Sequence, residues 1–198
     1  MKSKLIVIAV IVVIAIIFVG WGVSAYNSLV GQDEAVSTQW AQVQNAYQRR
    51  ADLIPNLVAT VKGYATHEQE TFTQVTEARA KATQATVSVS PDDLTPENIQ
   101  RVQQAQGEFS QAIGRLLLVR EAYPDLKANT NFLQLQDELA GTENRISTER
   151  NKFNEVARTY NTSIRSFPRN IIASIGGFEK KAYFEADQGA QQAPRVEF

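Results

Sequence analysis

Residues 5–23, LIVIAVIVVIAIIFVGWGV, hold no charged side chain. As a helix at about 1.5 Å per residue they extend roughly 28 Å, close to the ~30 Å hydrocarbon core of a bilayer. Such a run is either a cleaved signal peptide or a retained anchor. Lys2, Lys4 and the small residues around Ser24 fit the first reading. The length of the run, with Trp21 and Tyr26 where interfacial aromatics belong, favours the second. Leu5, Ile11, Phe18 and Trp21 are therefore assigned to a single-pass membrane anchor. Orientation follows from the flanks: Lys2 and Lys4 precede the run, and no Lys or Arg follows it before Arg49. The positive-inside rule then puts the N-terminus in the cytoplasm and the body outside the cytoplasmic membrane.

Beyond residue 25 the apolar side chains adopt a helical period. Val36, Trp40, Val43 and Tyr47 recur at steps of four, three and four, and Ile54, Leu57, Val61 and Tyr64 resume the stripe. Pro55 interrupts it; with no Gly-rich or polar loop around it, the expectation is a kink in a helix that runs on to about Ala85. Residues 87–95, VSVSPDDLT, form a clear break, and Thr95-Pro96 is a good cap and first-turn pair. Ile99, Val102, Phe109, Ile113, Leu116 and Leu117 mark a second helix ending near Tyr123-Pro124. A third begins at about Asp125. There Phe132, Leu135, Leu139, Ile146, Phe153, Val156, Tyr160 and Ile164 keep near-heptad, coiled-coil-like spacing, with polar residues Thr142 and Glu149 in the seam. Phe167-Pro168 ends it, a short helix covers 169–175, and Gly176-Gly177 stops that one. In the tail, Phe178, Lys180, Ala182 and Phe184 suit an alternating strand, and residues 194–198 suit an extended segment docked on something.

The fold class is thus all-α: an N-terminal transmembrane helix (1–25), an elongated antiparallel bundle of three to four long helices with a short helix (26–177), and an extended C-terminal tail (178–198). Ten glycines and six prolines in 198 residues are too few for a turn-rich all-β chain. A net charge of −1 gives no general attraction to nucleic acid, and the absence of cysteine removes disulfides and thiol chemistry.

Signals for catalysis are poor. The single histidine, His67, sits in HEQE, without the second histidine of a metalloprotease helix. His67 with Glu70, or Glu70 with Glu77, could hold a divalent ion, but a solvated surface explains them better. No catalytic, cofactor or metal site is assigned. Arg49 and Arg50 precede Pro55, and Glu143, Glu149 and Arg150 lie on the third helix. Cross-bundle pairing of Arg49 or Arg50 with Glu143 or Glu149 would fix register or build a small-molecule site. Arg49, Arg50, Glu143 and Arg150 are the interaction candidates. Glutamines crowd two helices (Gln39, Gln42, Gln44 and Gln48; Gln100, Gln103, Gln104, Gln106 and Gln111), which suits lateral association without charge repulsion. The function these features suggest is a membrane-anchored, self-associating scaffold or adaptor without catalysis, the alternative being a ligand-sensing bundle.

Several strings resemble a known family. YNSLV at 26–30, WAQVQNAYQRRADLIPNLVATVKGYATHE at 40–68, LQDELAGTENRISTERNKFNEVARTYN at 135–161, SFPRNIIA at 166–173 and PRVEF at 194–198 are similar to the LemA family of bacterial membrane proteins. One departure is Phe153, where the family's pattern has tyrosine. The resemblance implies a bacterial source, an N-terminal transmembrane helix and a helical bundle, but no reaction. It also implies a neighbourhood of membrane proteases, or of magnetosome membranes in one branch. The partners expected are the lipid bilayer, further copies of the chain and envelope membrane proteins such as proteases. The resemblance implies an N-terminus outside the cell, opposite to what the charges suggest.

Overall fold

The computed structural model describes residues 2–185, with side chains from residue 4. The expectation that residues 194–198 dock falls outside the described residues. Helix α1 (Lys2–Lys62) is unbroken across the glycines at 20, 22 and 31 and through Pro55. At 61 residues it is roughly 90 Å long. Among the described residues nothing covers its first part: Leu5, Ile11 and Phe18 are 64, 59 and 67% exposed. Burial starts at Ala25 and Leu29, so the apolar run lies outside the bundle. It is the one stretch among the described residues long and apolar enough to cross a membrane.

α1 ends later than Pro55 and earlier than the sequence pattern suggested. Residues 63–68 reverse the chain into α2 (Gln69–Val87), so the continuous helix expected to reach Ala85 is two antiparallel helices. Gly63 N–H still donates to the carbonyls of Ala59 and Thr60, both at 3.3 Å, and Tyr64 turns outward. The proline is tolerated because its missing donor is replaced. The carbonyl of Ala51, which would accept from residue 55, accepts from Arg79 Nε of α2 at 2.7 Å.

α3 (Pro96–Leu118) is capped by Thr95, whose side chain accepts from Asn98 N. It stops sooner than expected, passing into a 3₁₀ turn (Val119–Ala122) and the four-residue α4 (Pro124–Lys127). The last long helix, α5 (Thr130–Arg165), starts five residues beyond the expected Asp125. There Asn129 caps it, its Oδ1 accepting from Phe132 N at 2.9 Å. Its buried stripe runs Phe132, Leu139, Thr142, Ile146, Glu149 and Phe153, then drifts to Ala157 in place of Val156. That drift is what a 3.6-residue turn imposes on a seven-residue pattern.

The four long helices alternate direction, α1 packing most extensively on α5 and α2 on α3. Two apolar clusters fill the bundle. The one nearer the apolar run contains Leu29, Val36, Trp40, Val43, Phe153 and Tyr160; the distal one contains Ile54, Leu57, Val61, Phe109, Leu116 and Phe132.

After α6 (Arg169–Gly176), Gly177 takes φ +71° and turns the chain. Gly176 is needed for a different reason: a Cβ there would lie 2.7 Å from Phe178 Cε2. Residues 178–185 then run back along the bundle as an extended strap, with no strand pairing. Ala182 and Phe184 face the core and Lys180 faces out, but Lys181 is also buried. Its Nζ reaches Asp33 at 3.1 Å and the Pro91 carbonyl at 3.2 Å, which departs from simple alternation. Two asparagines one heptad apart on α5 hold the strap. Asn154 accepts from Phe184 N and donates to its carbonyl, both at 2.8 Å. Asn161 does the same to Lys181, at 3.0 and 2.8 Å. Each carboxamide thus pairs the N–H and the carbonyl of one residue, as the facing residue of a neighbouring strand would.

Candidate functional site

Between the two apolar clusters lies a polar layer centred on Arg50, which is 2% exposed. The core-facing stripe of α1 brings it there, since Tyr47, Arg50 and Ile54 share one face of the helix. A buried guanidinium is costly unless its donors are matched. Nη1 donates to Ser110 Oγ at 2.8 Å and pairs with Glu143; Nη2 donates to the Gln106 side-chain and backbone carbonyls. The Phe109 and Tyr47 rings flank the cation, with centroids 5.1 and 5.8 Å from Cζ. Gln106 carries the network on, donating to Thr86 Oγ1 at 2.8 Å, and Thr86 donates to the Ala82 carbonyl at 2.9 Å. Through side chains alone, the layer joins α1, α2, α3 and α5.

One donor of Arg50, Nε, is buried without an acceptor among the described residues. Glu143 is nearly half exposed, so the network has a wet end. It opens on a groove of about 350 Å³ bordered by Arg50, Gln106, Ser110, Glu143 and Arg150. Tyr47 and Gln106 also border a second cavity, of about 440 Å³, that reaches α2.

Three of the four interaction residues named from sequence, Arg50, Glu143 and Arg150, thus meet at one groove. Arg49 is exposed and lies on another face, beside Glu138 and Arg145. Arg150 is half-buried, its guanidinium 4.8 Å from the centre of the Phe184 ring. Glu149 does not meet Arg50. It accepts from Gln39 Nε2 at 2.8 Å and from Lys152 Nζ at 3.1 Å. The Gln39 bond, with help from Lys152 and against the effect of burial, holds its carboxyl below the usual range. Gln106, Ser110 and Thr86 were missed as partners. Only the glutamine richness of α3 pointed towards them.

The chemistry of the layer is that of holding, not proton transfer. Ser110 bonds a permanent cation that cannot accept its proton, and Glu143 is engaged with that cation rather than with the hydroxyl. His67 lies in the turn before α2, not on a helix with Glu70. Among the described residues no three His, Cys, Asp or Glu side chains converge for a metal ion. Of the surface glutamines, Gln39 and Gln44 bond within the chain and Gln106 is buried; Gln42, Gln100 and Gln111 are exposed.

The profile of the LemA family matches residues 39–198. The magnetosome protein MamQ 2 of Paramagnetospirillum magneticum is 28% identical over 197 residues, covering 91% of this chain and 71% of that protein. MamQ of Magnetospirillum gryphiswaldense is 26% identical over 193 residues, covering 89% and 71%. Protein LemA of Metamycoplasma hominis is 25% identical over 162 residues, covering 82% and 69%.

Proposed function

The chain belongs to the LemA family, and from that premise we propose that it is a non-catalytic scaffold of the bacterial envelope, anchored by α1 and associating laterally with further copies. The observation that carries this reading is the continuity of α1. The helix that leaves the apolar run is the same one that forms the bundle's longest element. The membrane segment therefore fixes the body mechanically as well as anchoring it. Relatives named as magnetosome proteins support a role tied to a membrane structure rather than a soluble reaction. Other envelope proteins, membrane proteases among them, are the partners such a surface would serve. Copies confined to one plane meet at high effective concentration, so weak polar contacts suffice.

The absence of native cysteine makes the test clean. Single cysteines placed by Gln42→Cys, Gln100→Cys and Gln111→Cys in native membranes should give dimers and higher species with a short thiol cross-linker. Protein that stays monomeric in detergent at every concentration, and cross-links at none of the three positions, sinks the reading.

The unmatched Nε of Arg50, a residue that borders the 350 Å³ groove, favours a second reading, a bundle that binds a small carboxylate or phosphate ester there. Such ligands should raise the melting temperature of the wild type and not of Arg50→Met. Equal responses exclude it. For sidedness, we propose from the two N-terminal lysines that the body lies outside the cytoplasm. A Gln104→Cys variant labelled by an impermeant thiol reagent in intact spheroplasts supports that; labelling only after lysis reverses it.

A further inference from the structure

α6 packs against α1 where the apolar run ends. A Cβ on Gly22 would lie 3.7 Å from Ile172 Cδ1, and one on Gly176 would lie 3.1 Å from the Tyr26 ring. Gly22 is the next-to-last residue of the 5–23 run, and Tyr26 is one turn beyond it. With 5–23 spanning the bilayer, α6 sits at the boundary between acyl chains and headgroups. Ala173 is buried against the bundle, but Phe167, Ile171 and Ile175 are 82, 50 and 81% exposed. Their spacing of four puts Ile171 and Ile175 on one face of α6, and Phe167 lies in the turn that leads into the helix. Three large, well-exposed apolar side chains in one short stretch of chain are hard to account for on a soluble surface. At this level there is an occupant, because the exposed apolar surface of α1 is already committed to lipid.

The charges nearby agree. Arg165 and Lys180 are exposed and Arg169 is half-buried, and Glu179 is the acid beside them. An apolar face with cations at its edges is the pattern of a helix lying in a membrane interface.

We propose that α6 is a second membrane contact: Phe167, Ile171 and Ile175 enter the bilayer that α1 crosses, while Arg165, Arg169 and Lys180 meet anionic headgroups. The body is then held at two points and cannot swivel about α1. This goes beyond the scaffold reading and does not depend on self-association.

The full chain is reconstituted in nanodiscs of phosphatidylethanolamine and phosphatidylglycerol, with a spin label at Ile175→Cys, at Ile171→Cys, or at exposed Gln104→Cys as the aqueous reference. Ile175 is so exposed that its replacement removes little packing, and circular dichroism checks the fold. Labels at 171 and 175 should collide with oxygen several-fold more often than with a water-soluble nickel chelate, and the label at 104 should show the reverse. Nickel collisions at 175 as frequent as at 104 overturn the proposal. Shielding from both reagents also overturns it, because protein, such as a second copy, then covers the face.

Discussion

Around Trp40 three rings meet: Phe153 lies edge-on at 5.9 Å, Phe184 stacks at 6.1 Å, and those two are edge-on to each other at 5.4 Å. Around Leu57, beyond the Arg50 layer, the core is mostly aliphatic, and among the described residues no ring pair forms there. The half nearer the membrane also depends on chain from far away in sequence, because Phe184 belongs to the strap that Asn154 and Asn161 hold. The distal half is closed by consecutive helices and short turns. The same four helices thus use two kinds of specificity. In one half polar side chains aim a distant segment into place; in the other, periodic apolar faces dominate.

The largest expected effects break both halves and compare the consequences. Trp40→Ala removes a fully buried ring and its Nε1 bond to the Val89 carbonyl, and should cost about 3–5 kcal/mol. Leu57→Ala, equally buried, should cost about 2–5 kcal/mol. Urea unfolding gives the totals, and hydrogen exchange separates them. Trp40→Ala should speed exchange in 178–185 more than the global loss explains, and Leu57→Ala should not. Equal responses in the strap would erase the distinction between the halves.

Asn161→Ala comes next. The side chain is 3% exposed and makes both its bonds to Lys181, so truncation strands a buried N–H and a buried carbonyl. About 2–3 kcal/mol is expected, with proteolysis inside 178–185 appearing before global unfolding. Asn154→Ala, half-buried, should cost less. An Asn161→Ala variant whose strap resists protease as well as the wild type would mean that the rings, not the amides, hold it.

The contrast explains what the sequence revealed. Apolar side chains at helical spacing announce their own burial, so the α1, α3 and α5 stripes were readable, as was the run at 5–23. The reversal at 63–68 was not, because the stripe of Ile54, Leu57, Val61 and Tyr64 runs into it, Phe72, Val75 and Ala82 resume it beyond, and only Gly63 interrupts. The later start of α5 depends on Asn129 acting as cap, which competes with an equally plausible Pro124-Asp125 start. The extended course of 178–185 was readable, but its seat was not, because the residues that hold it, Asn154, Asn161 and Asp33, look like ordinary polar positions on helices. At the polar layer, a charge census can suggest that Arg50 faces an acid on another helix. It cannot choose Gln106 and Ser110, which the register between α1 and α3 selects.

A distal feature of that kind gives a smaller effect. Arg79→Ala leaves the Ala51 carbonyl with neither Pro55 nor Arg79 as donor, at a residue 2% exposed. A loss of about 1–2 kcal/mol is expected. In a Pro55→Ala background the restored backbone N–H supplies the missing bond, so the same substitution should cost clearly less. Additive losses in the double-mutant cycle would show that Arg79 acts through surface charge instead.

The smallest effect contrasts one carboxylate from each half. Both are held below the usual carboxylate range, but by different partners. Glu149, buried in the half nearer the membrane, owes this first to the Gln39 amide and then to Lys152. Exposed Glu121, in the distal half, owes it to Lys127 and then Arg120. A depressed folded value contributes stability above the unfolded carboxylate pKa of about 4.3, lost as pH falls through the folded value. Gln39→Leu should therefore destabilise by about 1 kcal/mol or less near neutral pH, and its difference from the wild type should shrink as pH drops below the carboxylate range. Salt separates the two acids. Gln39 carries no charge, so its contribution should persist in high salt, whereas any effect of Lys127→Ala should fade as mobile ions screen the exposed pair. A Gln39→Leu effect that stays constant down to acid pH would mean that the amide acts through the Glu149 backbone carbonyl, which it also reaches at 3.3 Å, and not through the carboxylate.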